Sequence, residues 1–246
     1  MSPKLKLHIP ESLKKQIKNF SGLLVSNNLT ALAKMYKTDK WGRHYYTPHY
    51  QSHFKQYRFK PIKLLEIGVG GYENPKKGGN SLRMWKKYFP FGRIFSIDIY
   101  DKSALEENRI KIFQGSQVDK HFINSLMDEI GEVDIIIDDG SHINEHVITS
   151  FELLFPFLKN GGVYVVEDTE TSYLDKYGGD SKFLDNKQTT MNFFKSLTDE
   201  INHVEYEVAG NHLDKLIPNI NSIHFYHSII FVNKESTDEK SSITIG

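Results

Sequence analysis

From Pro61 onward the apolar positions fall into two alternating patterns. Short unbroken runs, KLLEIGVG (63–70), RIFSIDIY (93–100), RIKIFQGS (109–116), VDIIIDDG (133–140) and GVYVVEDT (162–169), are separated by stretches whose apolar residues recur three and four apart: SLRMWKKYF (81–89), KHFINSLMDEI (120–130) and NEHVITSFELLFPFL (144–158). The runs predict β-strands and the spaced stretches helices. The runs are continuous rather than alternating, as at Ile135, Ile136 and Ile137 or from Val163 to Val166, so both faces of each strand should be covered. This βαβ rhythm predicts an α/β fold, a doubly wound and mostly parallel sheet with helices on both faces. SIHFYHSIIFVNK (222–234) predicts one or two closing strands. Residues 1–60 fit no βαβ unit. Their helical stretches and the aromatic, histidine-rich DKWGRHYYTPHYQSHF (39–54) are expected to form an N-terminal helical cap over a domain of residues 61–234, followed by a solvated polar tail over 235–246.

Composition narrows the reading. A chain of 246 residues with 13% aromatics can bury a sizeable core. Lys+Arg 31 balances Asp+Glu 31, so overall charge favours neither nucleic acid nor an anionic membrane surface as a partner. With no Cys there is no disulfide framework, no thiolate metal site and no cysteine nucleophile, which fits a reducing compartment. The start, MSPKLKLHIPESLKK, lacks the apolar stretch of a signal peptide, and no uncharged apolar run approaches the roughly 18 residues of a membrane span. A soluble, cytoplasmic protein is expected.

In a doubly wound sheet, ligands sit outside the carboxyl ends of the strands, so the residues to weigh are the last of each strand and the loop after it. The first strand runs into Glu66-Ile67-Gly68-Val69-Gly70-Gly71, where glycines allow a sharp turn and close approach to a ligand. Glu73 stands where a dinucleotide fingerprint wants a small residue, and Pro75, Gly78 and Gly79 prolong the loop, which disfavours a pyrophosphate cradle. Asp98 ends the second strand, where a carboxylate can accept both hydroxyls of a ribose. Loop and acid together favour an adenosyl ligand, with Gln117, beyond the third strand, on the adenine side. The fourth strand ends Asp138-Asp139-Gly140-Ser141-His142 and the fifth Glu167-Asp168. Four carboxylates on adjacent strand ends repel unless a counter-charge joins them, and a hard divalent cation takes such oxygens. Mg²⁺ is the natural occupant, with Mn²⁺ and Ca²⁺ left open. His142, three residues after Asp139, is expected to share a face with it on a first helical turn and is the candidate general base, with His146 its competitor. His44, His49 and His53 have surface packing as their default role.

These residues resemble a known family. LLEIGVGGYENPKKGGNSLRMWKKYFP, IDIYDKS, QGSQVD, IIIDDGSHINEHV and YVVEDTETSY are similar to the metal-dependent sugar O-methyltransferases of macrolide biosynthesis, of the mycinamicin and macrocin type. The resemblance runs from about Asp39 through TDKWGRHYYTPHYQSHF to IHFYHSIIFV. It implies a class I methyltransferase (Rossmann-like) fold, its last strand, from 222–234, antiparallel, and S-adenosylmethionine and Mg²⁺ as cofactors. It makes Asp139, Glu167 and Asp168 the metal ligands and His142 the proton acceptor. The cofactor segments then take in Glu66, Gly68, Gly70, Ser81, Asp98, Gln117 and Asp138. The implied partner is a sugar or glycosylated metabolite, or a polysaccharide precursor, with neither nucleic acid nor membrane and with homo-oligomerisation left open. The macrolide enzymes carry an additional N-terminal domain, for which this chain is expected to have no room. A related cephalosporin hydroxylase group shares the acidic cluster, so a metal-dependent hydroxylase stays open, as does a non-catalytic adenosyl-binding protein. A nicotinamide oxidoreductase is disfavoured by the interrupted glycine loop.

Overall fold

The computed structural model describes residues 26–208, 210, 217–236 and 240–242. Strands β1 (Lys63–Ile67), β2 (Arg93–Asp98), β3 (Ile110–Gln114), β4 (Val133–Asp138) and β5 (Leu158–Glu167) are joined by crossovers and pair in parallel. A hairpin, β6 (Ile220–Tyr226) and β7 (Ile229–Lys234), completes a seven-stranded sheet of order β3-β2-β1-β4-β5-β7-β6. β7 inserts antiparallel beside β5, as the class I methyltransferase resemblance implied for 222–234. Strand order reverses between β1 and β4, and the carboxyl ends of these strands are where a doubly wound sheet places its ligand crevice.

The unbroken apolar runs are explained by two cores. Leu64, Ile94, Ile135, Ile137, Val163 and Phe231 face one side of the sheet, and Leu65, Phe95, Ile136, Tyr164 and Val166 the other. The second face is covered by α4 (Lys120–Ile130), α5 (Asn144–Leu154) and α6 (Thr190–Ser196). The first is covered by α3 (Asn80–Tyr88) together with α1 (Leu29–Tyr36) and α2 (Thr47–Phe54), which contribute Leu29, Leu32, Ala33, Tyr50 and Phe54 to one continuous core. The described part of the cap thus supplies the helical layer of one sheet face; residues 1–25 lie outside the described residues. Asn28 starts α1 by accepting from the Ala31 N–H at 2.9 Å, and Lys37 ends it in the left-handed conformation, φ 58°.

The described residues of the tail are mostly exposed and hydrogen-bonded to the surface: the Ser236 N–H donates to Asn160 Oδ1, and Ser241 Oγ and the Ser242 N–H donate to the two carboxylate oxygens of Glu205. One expectation changes. The first turn of α5 starts only at Asn144, so Asp139 and His142 do not share a helical face. His142 sits in the preceding loop with φ 57°, and loop curvature brings its ring back toward Asp139. Among the described residues, no helix is long and apolar enough to cross a membrane.

Candidate active site

The loops after β1, β2, β4 and β5 form the walls of the site. Gly68, at φ 94°, is where the first and third of these touch: a Cβ there would lie 2.2 Å from the Asp139 carbonyl oxygen, so only glycine fits. Its N–H donates to the Ile97 carbonyl, and the Asp139 N–H to that of Ile67. The stretch from Gly71 to Gly78 is a long loop rather than a tight phosphate turn. Lys102, only 1% exposed, clamps it by donating to the carbonyls of Tyr72, Asn74 and Lys77. Beyond Gly70, at φ 75°, the space is open.

Asp98 ends β2 as placed. Its Oδ2 accepts from the Val69 N–H and its Oδ1 from the Tyr100 N–H, both at 2.9 Å. A carboxylate has about four lone-pair sites, so two remain for a ligand while backbone donors fix its direction. The other adenosyl candidates are engaged inside the protein. Glu66 is fully buried and its Oε2 accepts from Ser81 Oγ (3.0 Å) and Trp85 Nε1 (3.1 Å). Gln117 donates to Ser150 Oγ at 2.7 Å, accepts from the Ser141 N–H at 3.0 Å and faces Asp138 at 3.4 Å. Gln117 is thus a brace between the loops after β3 and β4. Asp138, 1% exposed, also accepts from the Gly140 N–H. Burial pushes its carboxyl up to about 7, and burial does the same to Glu66 against the pull of Lys40.

The acidic candidates converge, and something the sequence reading did not place converges with them. Lys40, on the loop between α1 and α2, is completely buried with its ammonium 2.6 Å from Glu167 Oε1, 2.8 Å from Asp139 Oδ2 and 3.3 Å from Glu66 Oε1. Burial works against that charge, and Asp139, Glu167 and Glu66 outweigh it, holding the ammonium well above the ordinary lysine range. Tyr50 of α2 donates to the same Glu167 oxygen, and Tyr46 donates to Asp168 Oδ1 at 2.7 Å, so the cap grips the carboxylates from one side. Burial, then Asp139, pushes the Glu167 carboxyl well above its usual range. His44 Nδ1 lies 3.5 Å from Asp168 Oδ1.

Outside this buried layer, Asp139, Asp168 and His142 face the crevice at 18–24% exposure. His142 Nε2 is 3.9 Å from Asp139 Oδ1 and 3.7 Å from Asp168 Oδ2, and the ligand atoms of all three lie within 4.8 Å of one another. His146, the competitor, is turned away onto Ser141 Oγ at 2.9 Å. His142 and Asp168 both adopt the left-handed backbone conformation, φ 57° and 53°. Non-glycine residues there carry local strain of the kind that collects at functional sites. A divalent ion fits this donor set: Asp139 Oδ1 and Asp168 Oδ2 turn hard oxygens to the rim beside His142 Nε2, while Asp139 Oδ2 meets the ammonium. His44 and His142 approach opposite oxygens of Asp168, and the described residues do not gather them into one two-histidine, one-carboxylate group.

Known proteins share this arrangement of chain. The model of the Rhamnosyl O-methyltransferase/CmcI family matches residues 80–211. Mycinamicin VI 2''-O-methyltransferase of Micromonospora griseorubida is 45% identical over 214 residues, 86% of this chain and 54% of that protein. Demethylmacrocin O-methyltransferase of Streptomyces fradiae is 44% identical over the same shares. The 2'-O-methyltransferase of 8-demethyl-8-alpha-L-rhamnosyl tetracenomycin-C from Streptomyces olivaceus is 42% identical over 88% of this chain and 57% of that one. This chain therefore spans about half the length of the curated relatives it matches. Among solved structures, the MycE methyltransferase of the mycinamycin pathway in complex with Mg and SAH superposes with a TM-score of 0.82 at 44% identity, covering 88% of this chain and 57% of that one. The 3-2-1-4-5-7-6 sheet is a class I methyltransferase fold. Sheet order, the long glycine loop and the matched residues agree, and the chain belongs to the Rhamnosyl O-methyltransferase/CmcI family.

Proposed function

We propose that this chain is a Mg²⁺-dependent O-methyltransferase acting with S-adenosylmethionine on a hydroxyl of a sugar, carried by a small-molecule glycoside or a polysaccharide precursor. The observation that supports the reading most is the grouping of two sets of residues at one sheet edge: Gly68, Gly70 and Asp98 after β1 and at the end of β2, tied together by the Val69 N–H on Asp98, and Asp139, Asp168 and His142 after β4 and β5, whose ligand atoms lie within 4.8 Å of one another. The relatives are O-methyltransferases of mycinamicin VI and of a rhamnosyl tetracenomycin-C, and the MycE methyltransferase structure is a complex with Mg and SAH.

Asp98 receives the two ribose hydroxyls on its free lone pairs. Gly70 leaves open space beside it, and Lys102 keeps the loop in shape. Glu66, Ser81, Gln117 and Asp138 act from beneath, holding the loops in register through the bonds described above. Asp139 and Asp168 would hold Mg²⁺; Glu167, the third ligand that the resemblance implied, has its Oε1 on Lys40 and Tyr50 and lies outside the cluster of ligand atoms. When bound, Mg²⁺ supplies Lewis-acid polarisation of the acceptor hydroxyl and S-adenosylmethionine supplies the methyl group. His142 Nε2, 3.7 Å from Asp168 Oδ2 and 3.9 Å from Asp139 Oδ1, accepts the hydroxyl proton. Proximity and orientation across the crevice supply most of the acceleration. One observation favours a second role for His142: its Nε2 lies close enough to both aspartates to join them as a ligand.

Methylation of a 6-deoxyhexose glycoside with labelled S-adenosylmethionine tests the proposal, with EDTA-treated and Mg²⁺-loaded protein compared. Transfer that depends on Mg²⁺ supports it; full-rate transfer by metal-free protein removes the ion. Absence of S-adenosylhomocysteine binding in calorimetry would sink the transferase reading altogether.

A further inference from the structure

The carboxylates of the site already hold one cation. Three oxygens surround the Lys40 ammonium, and one of them, Glu66 Oε1, is buried without a hydrogen bond of its own and faces the ammonium at 3.3 Å. The Tyr50 hydroxyl closes the pocket on Glu167. Asp139 is divided between two neighbourhoods: Oδ2 meets the ammonium at 2.8 Å, while Oδ1 faces His142 and the crevice. A carboxylate that turns one oxygen to each of two cationic positions has the layout of a bridging ligand in a two-metal site.

We infer that the acidic patch is a two-cation site whose inner position is permanently filled by the Lys40 ammonium, so that the protein takes one divalent ion, at the outer position of Asp139 and Asp168. The inference rests on the divalent-cation reading of that outer position. The inner position offers only hard oxygen donors, from Glu66, Asp139 and Glu167, as a divalent ion would want. An ammonium brings three N–H donors to three such oxygens and does not exchange with solvent ions. Its effect on chemistry is to leave a single exchangeable Lewis acid in a site that has acids enough for two. Paired ions a few ångströms apart stabilise both the attacking and the leaving oxygen of a displacement, and that mode is closed here. A purely structural ion pair makes a different prediction: removing Lys40 then costs stability and nothing takes its place.

Mn²⁺ binding to the full chain separates these, read by calorimetric stoichiometry and electron paramagnetic resonance. Wild type is expected to bind one Mn²⁺ with an isolated-ion spectrum. Lys40→Ala, which vacates the inner position, is expected to bind two, with the exchange-broadened spectrum of a close pair. Lys40→Met, which fills the volume without charge, is expected to bind no more than one. In EDTA, Lys40→Ala melts below wild type, and Mn²⁺ raises its melting temperature by more than it raises that of wild type. One ion in Lys40→Ala, or a variant that millimolar Mn²⁺ stabilises no more than wild type, overturns the inference, and a variant left unfolded in Mn²⁺ does the same. Wild type that binds no Mn²⁺ overturns the outer site itself, a result distinct from one ion in both proteins.

Discussion

Asp98 belongs to the cofactor side of the proposed site and His142 to the metal side, and each has a distinct expected failure. Asp98→Ala deletes an acceptor for two ribose hydroxyls, each bond to a charged group being worth about 1.5–3 kcal/mol, so S-adenosylhomocysteine affinity should fall by roughly 10²-fold or more. Titration calorimetry checks it, and unchanged affinity places the adenosyl site elsewhere. His142→Ala should keep cofactor and Mg²⁺ binding and lose turnover by about 10²–10⁴-fold, the usual share of a positioned general base. Loss of Mg²⁺ affinity together with turnover would make His142 a ligand instead. Asp98, Asp139, Asp168 and His142 were legible in the sequence because each lies at or just after a strand end, where a doubly wound sheet exposes side chains. Lys40 and Tyr50 were not, because their contacts join residues 99 to 127 positions apart and no spacing rule spans such a distance.

Among the elements, the segment after β5 is held to α5 by one side chain. Asn144, 1% exposed at the start of α5, donates to the carbonyls of Thr171 and Tyr177 and accepts from the Thr190 N–H at 2.6 Å. Asn144→Ala strands the buried Thr190 N–H and removes a donor from the Thr171 and Tyr177 carbonyls, and should cost about 1–3 kcal/mol. It should also open residues 173–190 to limited proteolysis, and a cleavage pattern identical to wild type would remove the clamp. The existence of each strand and of the helices over 80–154 followed from periodicity. What misled was assuming that the turn after β4 was already helical: an i,i+3 spacing brings side chains together on a helix, but the left-handed His142 brings them together through a loop, and periodicity does not distinguish the two.

Across the whole molecule, the histidines of the cap meet those of the closing hairpin. His53 of α2 stacks on Phe231 of β7 at 4.2 Å, meets His224 of β6 edge-on at 4.7 Å and shares a hydrogen bond with Tyr226, onto which His49 also stacks. Burial, followed by His224 and His49, lowers His53 from 6.5 to about 4. The unfolded chain therefore binds a proton between these values that the native state refuses. The stability His53 contributes is complete above pH 6.5 and is lost as pH falls toward 4. Half-burial screens the effect, so about 1 kcal/mol is expected, equivalent to roughly 2–4 °C in melting temperature. His53→Phe, which keeps the ring stack, should flatten the decline between pH 7 and 5; parallel curves for the two proteins would show that His53 takes no part in it.

Local rules suffice for what the sequence determined alone: a parallel doubly wound sheet, because continuous apolar runs demand cover on both faces, and an acid-rich carboxyl edge, because consecutive strands end in aspartates and glutamates. The resemblance carried by its loop motifs extended that reading to a family. Tertiary structure alone decided the charge balance of the site. Four acidic strand-end residues read as a demand for a cation, and the demand is met in part by Lys40, from a segment outside the βαβ rhythm. Tertiary structure also decided which candidates face the crevice and which brace it from below. Glu66 and Gln117 belong to the same motifs as Gly68 and Asp98, yet burial assigns their polar atoms to Ser81, Trp85 and Ser150. Desolvation is a property of the whole packed chain, so neither the partner of a buried charge nor its protonation can be read from its neighbours in sequence.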